Sequence, residues 1–182
     1  MTSDRISLII TYRLVRGVCE MPPVQIAVCG PRDCTNTEAA TAREVGRLLA
    51  RAGAVVLCGG GTGVMAAVAE GASAEGGLVI GVRPDTGRAG VCAGLSAVLY
   101  TNMGEARNAI LISSADAVVV VGGSWGTLSE LALANRRGGV PVVSIGGWQI
   151  LDAEGETVEG SHRAANAAEA VAFAVAGARP AG

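Results

Sequence analysis

Apolar positions in this chain come in short unbroken runs rather than in strict alternation with polar ones. "VQIAVCG" (24–30), "AVVLCGGG" (54–61), "LVIGV" (78–82), "SAVLY" (96–100), "DAVVVVGG" (116–123) and "VPVVSIGG" (140–147) are such runs, and most end on glycine. Between them lie segments of helical character: "TEAATAREVGRLLARAG" (37–53), "TGVMAAVAEGASAEGG" (62–77), a stretch over 104–114, "GTLSELALANRRGG" (126–139) and "NAAEAVAFAVAGA" (166–178). Continuous β-branched strands alternating with helices predict a parallel sheet covered on both faces. The fold class is α/β, a single doubly wound parallel sheet. Residues 1–20 show no clear period and precede Met21-Pro22-Pro23. They read as an extension or as upstream sequence before a start at Met21. The domain reading is an extension over 1–22 and one ligand-binding domain over 23–182.

In such sheets ligands bind beyond the carboxyl ends of the strands, at helix N-termini near the switch point. Three glycine turns fall at strand ends: Gly30-Pro31, Gly59-Gly60-Gly61-Thr62-Gly63 and Gly122-Gly123-Ser124-Trp125-Gly126-Thr127. Glycine lets backbone amides converge on an oxyanion, and the helix dipole favours the anion there. Gly30-Pro31 reads as a tight turn, and the two richer loops as phosphate cradles. "GTGVMA" (61–66) also fits the dinucleotide pattern GxGxxA, but it follows the second strand. Arg83 stands where the ribose-binding acid belongs, with Asp85 beyond, so an NADP-binding reading would rest on Arg83 meeting a 2′-phosphate.

Composition removes several function classes. Half of the 182 residues are hydrophobic, enough for one sizeable core. A net charge of -2 and 3% aromatic residues argue against a nucleic-acid or membrane-surface partner. The chain contains no lysine: all fourteen basic residues are arginines. A Walker A loop and a pyridoxal phosphate Schiff base both need one, so neither is available. Five cysteines without a CxxC pair read as reduced thiols of a cytoplasmic protein, and one distant histidine, His162, gives no zinc set. No apolar run approaches the roughly 20 residues of a membrane helix.

"GGGTGVM" (59–65), "MGEARN" (103–108) and "GGSWGTLSE" (122–130), in this order, resemble the Lonely Guy (LOG)-like Rossmann superfamily, often mislabelled lysine decarboxylase. The resemblance covers about residues 24–178 and implies a Rossmann-like fold. Lonely Guy enzymes are phosphoribohydrolases that split nucleoside 5′-monophosphates, with the signature PGGxGTxxE. Gly123, Gly126, Thr127 and Glu130 match it, while Gly122 stands in place of its proline and Ser124 in place of its second glycine. The enzymes also carry an MHxRK segment; here Gly104 replaces the histidine and Arg107 falls one position later. "MGEARN" and the tryptophan-bearing turn look closer to the other branch, molybdenum-cofactor carriers and their relatives. The resemblance implies a phosphorylated small-molecule partner, a bound nucleotide or molybdopterin-type ligand with no required cofactor or metal, and a homo-oligomer.

On the enzyme reading, Glu130 and Arg107 are catalytic: Glu130 stabilises oxocarbenium character on the ribose, and Arg107 assists the phosphate or the departing base. On either reading Gly59, Gly60, Gly61, Thr62, Gly63, Met103, Asn108, Gly122, Gly123, Ser124, Trp125, Gly126 and Thr127 bind the ligand. Glu130 has a competing structural reading. Thr127-x-x-Glu130 has capping-box spacing, as does Thr35-x-x-Glu38, and a carboxylate in the first helical turn is kept ionised by the dipole. Trp125 either walls a pocket against a planar base or pterin or simply packs.

Overall fold

The computed structural model describes residues 22–178. The expected extension thus lies, apart from Pro22, outside the described residues, as does Cys19. Seven strands form one sheet: β1 (Gln25–Cys29), β2 (Val55–Cys58), β3 (Val79–Arg83), β4 (Ala97–Tyr100), β5 (Ala117–Val121), β6 (Val142–Ile145) and β7 (His162–Arg163). Their order is β4-β3-β2-β1-β5-β6-β7, and every neighbouring pair is parallel. Among the described residues five α-helices accompany them, four between strands and the last after β7: α1 (Asn36–Arg51), α2 (Val64–Ala74), α3 (Arg107–Ser113), α4 (Trp125–Arg137) and α5 (Ala167–Ala178). The fold is the expected doubly wound, Rossmann-like α/β sheet. The chain runs outward from β1 to β4, then returns to lay β5 against the other side of β1. That reversal places the switch point between β1 and β5.

All five residues of β5 are buried, because α1, α2 and α5 cover one face of the sheet and α3 and α4 the other. Ile26, Val28, Val56, Val119 and Val143 pack on the first side, and Ala27, Leu57, Val118, Val120, Leu111 and Leu131 on the second. Strand residues alternate between two apolar layers, so continuous apolar runs were required.

Several boundaries shift from expectation. The α1 start is held by a complete capping box: Thr35 Oγ1 accepts from the Glu38 amide at 3.2 Å, and the Glu38 carboxylate accepts from the Thr35 amide at 2.8 Å. The stretch read as a helix over 104–114 opens with a 3-10 turn, Gly104–Ala106, and becomes α-helical only at Arg107. The two-residue strand β7 and the antiparallel bridge between Leu151 and Thr157 follow β6, where no element was expected.

Helices α1 and α2 approach through small residues. A Cβ at Gly46 would collide with the Val68 carbonyl, and one at Gly71 with the Arg43 carbonyl. Gly46→Ala should therefore destabilise the protein. The helix-propensity gain of about 1 kcal/mol is outweighed by overpacking against rigid backbone, typically about 1–3 kcal/mol. Urea denaturation of the variant checks this, and a midpoint equal to or above wild type would contradict the close helix contact.

Candidate functional site

At the switch point, the ends of β1 and β5 open into a hollow of about 440 Å³. Gly30 and Arg32 line it from the turn after β1, and Met65 from α2. Glu105, Arg107 and Asn108 approach from the start of α3, and Ser124, Trp125, Gly126, Thr127, Ser129 and Glu130 from α4. A larger hollow of about 530 Å³ lies between α4 and the 148–163 segment, but none of the buried charged side chains reaches it. The chemistry is concentrated in the first.

Helix α4 begins at Trp125, one residue before the expected start, and Ser124 is its N-cap. Ser124 Oγ accepts from the Thr127 amide at 3.2 Å and pairs with the Thr127 hydroxyl at 2.9 Å. Thr127 is thus the third helical residue rather than the cap, and the expected Thr127–Glu130 capping box is not formed. Glu130 sits in the second turn, where the helix dipole has little hold on it, and is turned inward to 7% exposure. Burial raises its carboxyl to about 7, while the Arg107 charge and the Cys29 thiol beside it pull the other way. The expected permanently ionised carboxylate is corrected to one that titrates near neutrality. The Cys29 thiol, fully buried at the end of β1, is pushed well up by burial and next by Glu130.

Arg107 is the partner of Glu130, its Nη1 lying 3.7 Å from Glu130 Oε1. Arg107 as a residue is 6% exposed, and among the described residues Nε and Nη1 have no hydrogen-bond acceptor. Asn108 Oδ1 beside it is likewise buried without a donor. This is a cation under tension: a buried N–H left without an acceptor costs about 1–3 kcal/mol.

The first glycine loop does not line the hollow; it backs Arg107. A Cβ at Gly59 would lie 2.8 Å from both terminal nitrogens of Arg107 and 2.5 Å from Met65 Sδ. Gly60 has φ +66°, and its carbonyl accepts from Arg83 at 3.3 Å. Gly61 lies against Met65 and Arg83, the Thr62 hydroxyl donates to the Arg32 carbonyl at 3.3 Å, and Gly63 abuts the Pro31 and Arg32 carbonyls. Arg83, the residue an NADP reading rests on, pairs with Asp85 at 2.5 Å and donates to the Ala89 and Gly90 carbonyls as well. Its guanidinium braces a loop.

Of the second turn, Gly122 and Gly123 lie behind the hollow's wall. Gly122 has φ +68° and abuts the Glu38 carboxylate. Met103 is half exposed outside the hollow. Trp125 is 78% exposed, so it does not pack into the core. Sequence reasoning missed Arg32, Met65, Cys29 and Trp148; the indole N–H of Trp148 donates to the Ser124 carbonyl at 3.1 Å. The GGW sequence after β6 mirrors the opening of GGSW after β5 and was the one signal that could have pointed to Trp148. The four described cysteines, Cys29, Cys34, Cys58 and Cys92, are free. His162 pairs with Glu169 at 3.3 Å and stacks on Phe173, away from the site. Among the described residues no helix is long and apolar enough to cross a membrane.

The SLOG cluster4 family model matches residues 23–174. A protein of Archaeoglobus fulgidus is 38% identical over 144 residues, 76% of this chain and 94% of that one. The molybdenum cofactor binding protein from Rippkaea orientalis is 36% identical, with a TM-score of 0.68 over 70% of this chain and 78% of its own. The molybdenum cofactor carrier protein MCP from Chlamydomonas reinhardtii is 32% identical, with a TM-score of 0.69 over 82% of this chain and 94% of its own.

The Glu130 carboxyl gives stability a pH dependence of definite sign. Because its folded value lies above the ordinary 4.5, the folded state binds the proton more tightly than the unfolded chain. Its contribution is greatest below pH 4.5 and falls as pH rises to about 7, by at most roughly 3 kcal/mol. Urea midpoints of the wild type should therefore fall from pH 5 to pH 8 relative to Glu130→Gln. Parallel curves for the two proteins would count against a neutral Glu130.

Proposed function

This chain belongs to the SLOG cluster4 family, and we propose that it holds a phosphorylated pterin-type ligand, of the molybdenum-cofactor class, as a carrier rather than as an enzyme. The observation that carries the binding half of this reading is Arg107, which lines the switch-point hollow and whose buried Nε and Nη1 have no acceptor among the described residues. A guanidinium so placed is suited to an oxyanion, which it binds as a fork and cannot abandon by losing its proton. The α4 N-terminus offers the Trp125 and Gly126 amides, the Thr127 amide being held by Ser124 Oγ, and a favourable dipole. Arg32 at the rim adds a second positive charge. These residues fit the phosphate of such a ligand. Two similar structures, of a molybdenum cofactor binding protein and of a molybdenum cofactor carrier protein, support the choice of ligand class.

The carrier half rests on departures from the hydrolase pattern that have backbone consequences. Gly122 stands in place of the motif's proline, and its φ of +68° is one a proline ring cannot adopt. The turn therefore enters α4 on a different path. Gly104, in place of the motif's histidine, has φ +55° and brings no imidazole to the rim. In carriage Arg107 and the turn grip the phosphate, while a Glu130 protonated below about pH 7 removes the carboxylate charge that faces Arg107 directly.

One observation favours a second reading, N-glycosidic hydrolysis of a nucleoside 5′-monophosphate. A carboxyl near 7 beside an arginine can exchange a proton at neutral pH, as a general acid or base must.

Protein purified from cells that make the cofactor should carry pterin and molybdenum together, and Arg107→Ala should carry roughly tenfold less or lower still. Mass spectrometry of the eluted ligand with metal analysis reads both, and a wild type free of pterin defeats the carrier reading. Incubation with AMP should release no adenine above a Glu130→Gln control. Release that Glu130→Gln abolishes would replace carriage with hydrolysis.

A further inference from the structure

The chain has two tryptophans, and both stand at one place. Trp125 is the first residue of α4 and lines the hollow, yet its side chain is 78% exposed. Trp148 lies beside it with ring centroids 5.2 Å apart and planes at 42°. Trp148 is fixed: its indole N–H donates to the Ser124 carbonyl, which also accepts the Leu128 amide at 2.8 Å. Glycine at 123 makes that position reachable, since a Cβ there would come 3.0 Å from Trp148 Cδ1 and Nε1. Gly147, at φ +82°, nests its backbone on the Gly122 carbonyl, where a Cβ would collide. Two glycine turns, after β5 and after β6, are thus packed back to back to hold one indole behind another.

Nothing in the fold needs the outer indole. It fills no core space, and an aromatic side chain of this size left in water forgoes its burial energy. Its place is also specific, on the residue that follows the N-cap of the proposed phosphate turn, in a hollow otherwise walled by polar and charged groups and Met65.

We propose that Trp125, braced by Trp148, is the stacking platform for a flat fused heteroaromatic ring on the ligand whose phosphate lies at Ser124–Thr127 and Arg107. This rests on the phosphate-binding reading above and adds where the ring goes: to the rim, over Trp125, rather than down onto Glu130. Stacking on an indole face accepts any flat fused ring, because purines and pterins alike present a π-face. Trp125 therefore selects for the presence of a ring and is tolerant of its identity. Trp148 is a positioning residue that acts through Trp125 and the Ser124 carbonyl.

Because both indoles sit at the site, intrinsic tryptophan fluorescence reports on it directly. AMP, GMP, ribose 5-phosphate and adenosine are titrated into the wild type, Trp125→Ala and Trp148→Phe, with circular dichroism to check folding. In the wild type, AMP and GMP should bind within about threefold of each other and roughly five- to a hundredfold more tightly than ribose 5-phosphate. Trp125→Ala, read by calorimetry, should reduce the AMP to ribose 5-phosphate ratio to within about twofold. Trp148→Phe, which keeps a ring but loses the N–H, should reduce it partly. A ratio that survives Trp125→Ala, or a wild type that binds AMP and ribose 5-phosphate equally, overturns the platform while leaving the phosphate site standing. If adenosine binds and ribose 5-phosphate does not, the phosphate reading fails and the platform remains. If none of the four binds, both are wrong.

Discussion

The site is organised around one buried ion pair that is not fully made. Arg107 and Glu130 face each other at 3.7 Å, each largely removed from water, without a hydrogen bond joining them. Desolvating two charges costs several kcal/mol, and attraction at that separation recovers it only with good geometry and further hydrogen bonds. Here Glu130 partly escapes the cost by taking a proton, and Arg107, unable to do so, keeps idle donors. A pair designed for stability would have closed the gap. The surroundings instead hold it open: Gly59 supports the guanidinium from behind, and Cys29 meets Glu130 from β1. The reversal of strand order between β1 and β5 brings Cys29 to Glu130 from about a hundred residues away in the chain.

That long-range origin explains what the sequence did and did not disclose. The strands were legible because burial on both faces demands unbroken apolar runs, and Val118–Val121 is the plainest case. The start of α1 was legible because Thr35 and Glu38 form their capping box with no competitor nearby. At α4 two caps overlapped, with Ser124 three residues before Thr127 and Thr127 three before Glu130. Local spacing could not rank them. The Ser124 carbonyl, held from outside by Trp148, belongs to the arrangement that formed, so a residue from the end of β6 took part in placing the helix. Strand β7, two residues long, has too little sequence to show a period.

The glycine loops teach a related distinction. Both follow strands, open helices and look like phosphate cradles, yet only the one after β5 faces the hollow. The loop after β2 stands one strand away from the switch point, and its glycines admit close neighbours instead: Arg107 at Gly59, and the Pro31–Arg32 backbone at Gly63. Glycine content signals close backbone approach, and topology decides whether what approaches is a ligand or the protein itself.

Carriage and hydrolysis make different demands on such a hollow. Hydrolysis needs a group to stabilise charge on the sugar, a route for the proton to the leaving base, and an attacking water held in line. Glu130 can serve one of these roles at a time, and the histidine that could share them is replaced by Gly104. Carriage needs only a grip that closes on a phosphate and a surface for the rest of the ligand. On the carrier reading proposed above, Arg107, the Ser124–Thr127 turn and the exposed face of Trp125 would supply these. On the carrier reading, a protonated Glu130 would suit holding better than cutting, since it removes the carboxylate charge facing Arg107 while withholding the carboxylate that an oxocarbenium-like transition state requires; Glu105 then supplies the other carboxylate lining the hollow.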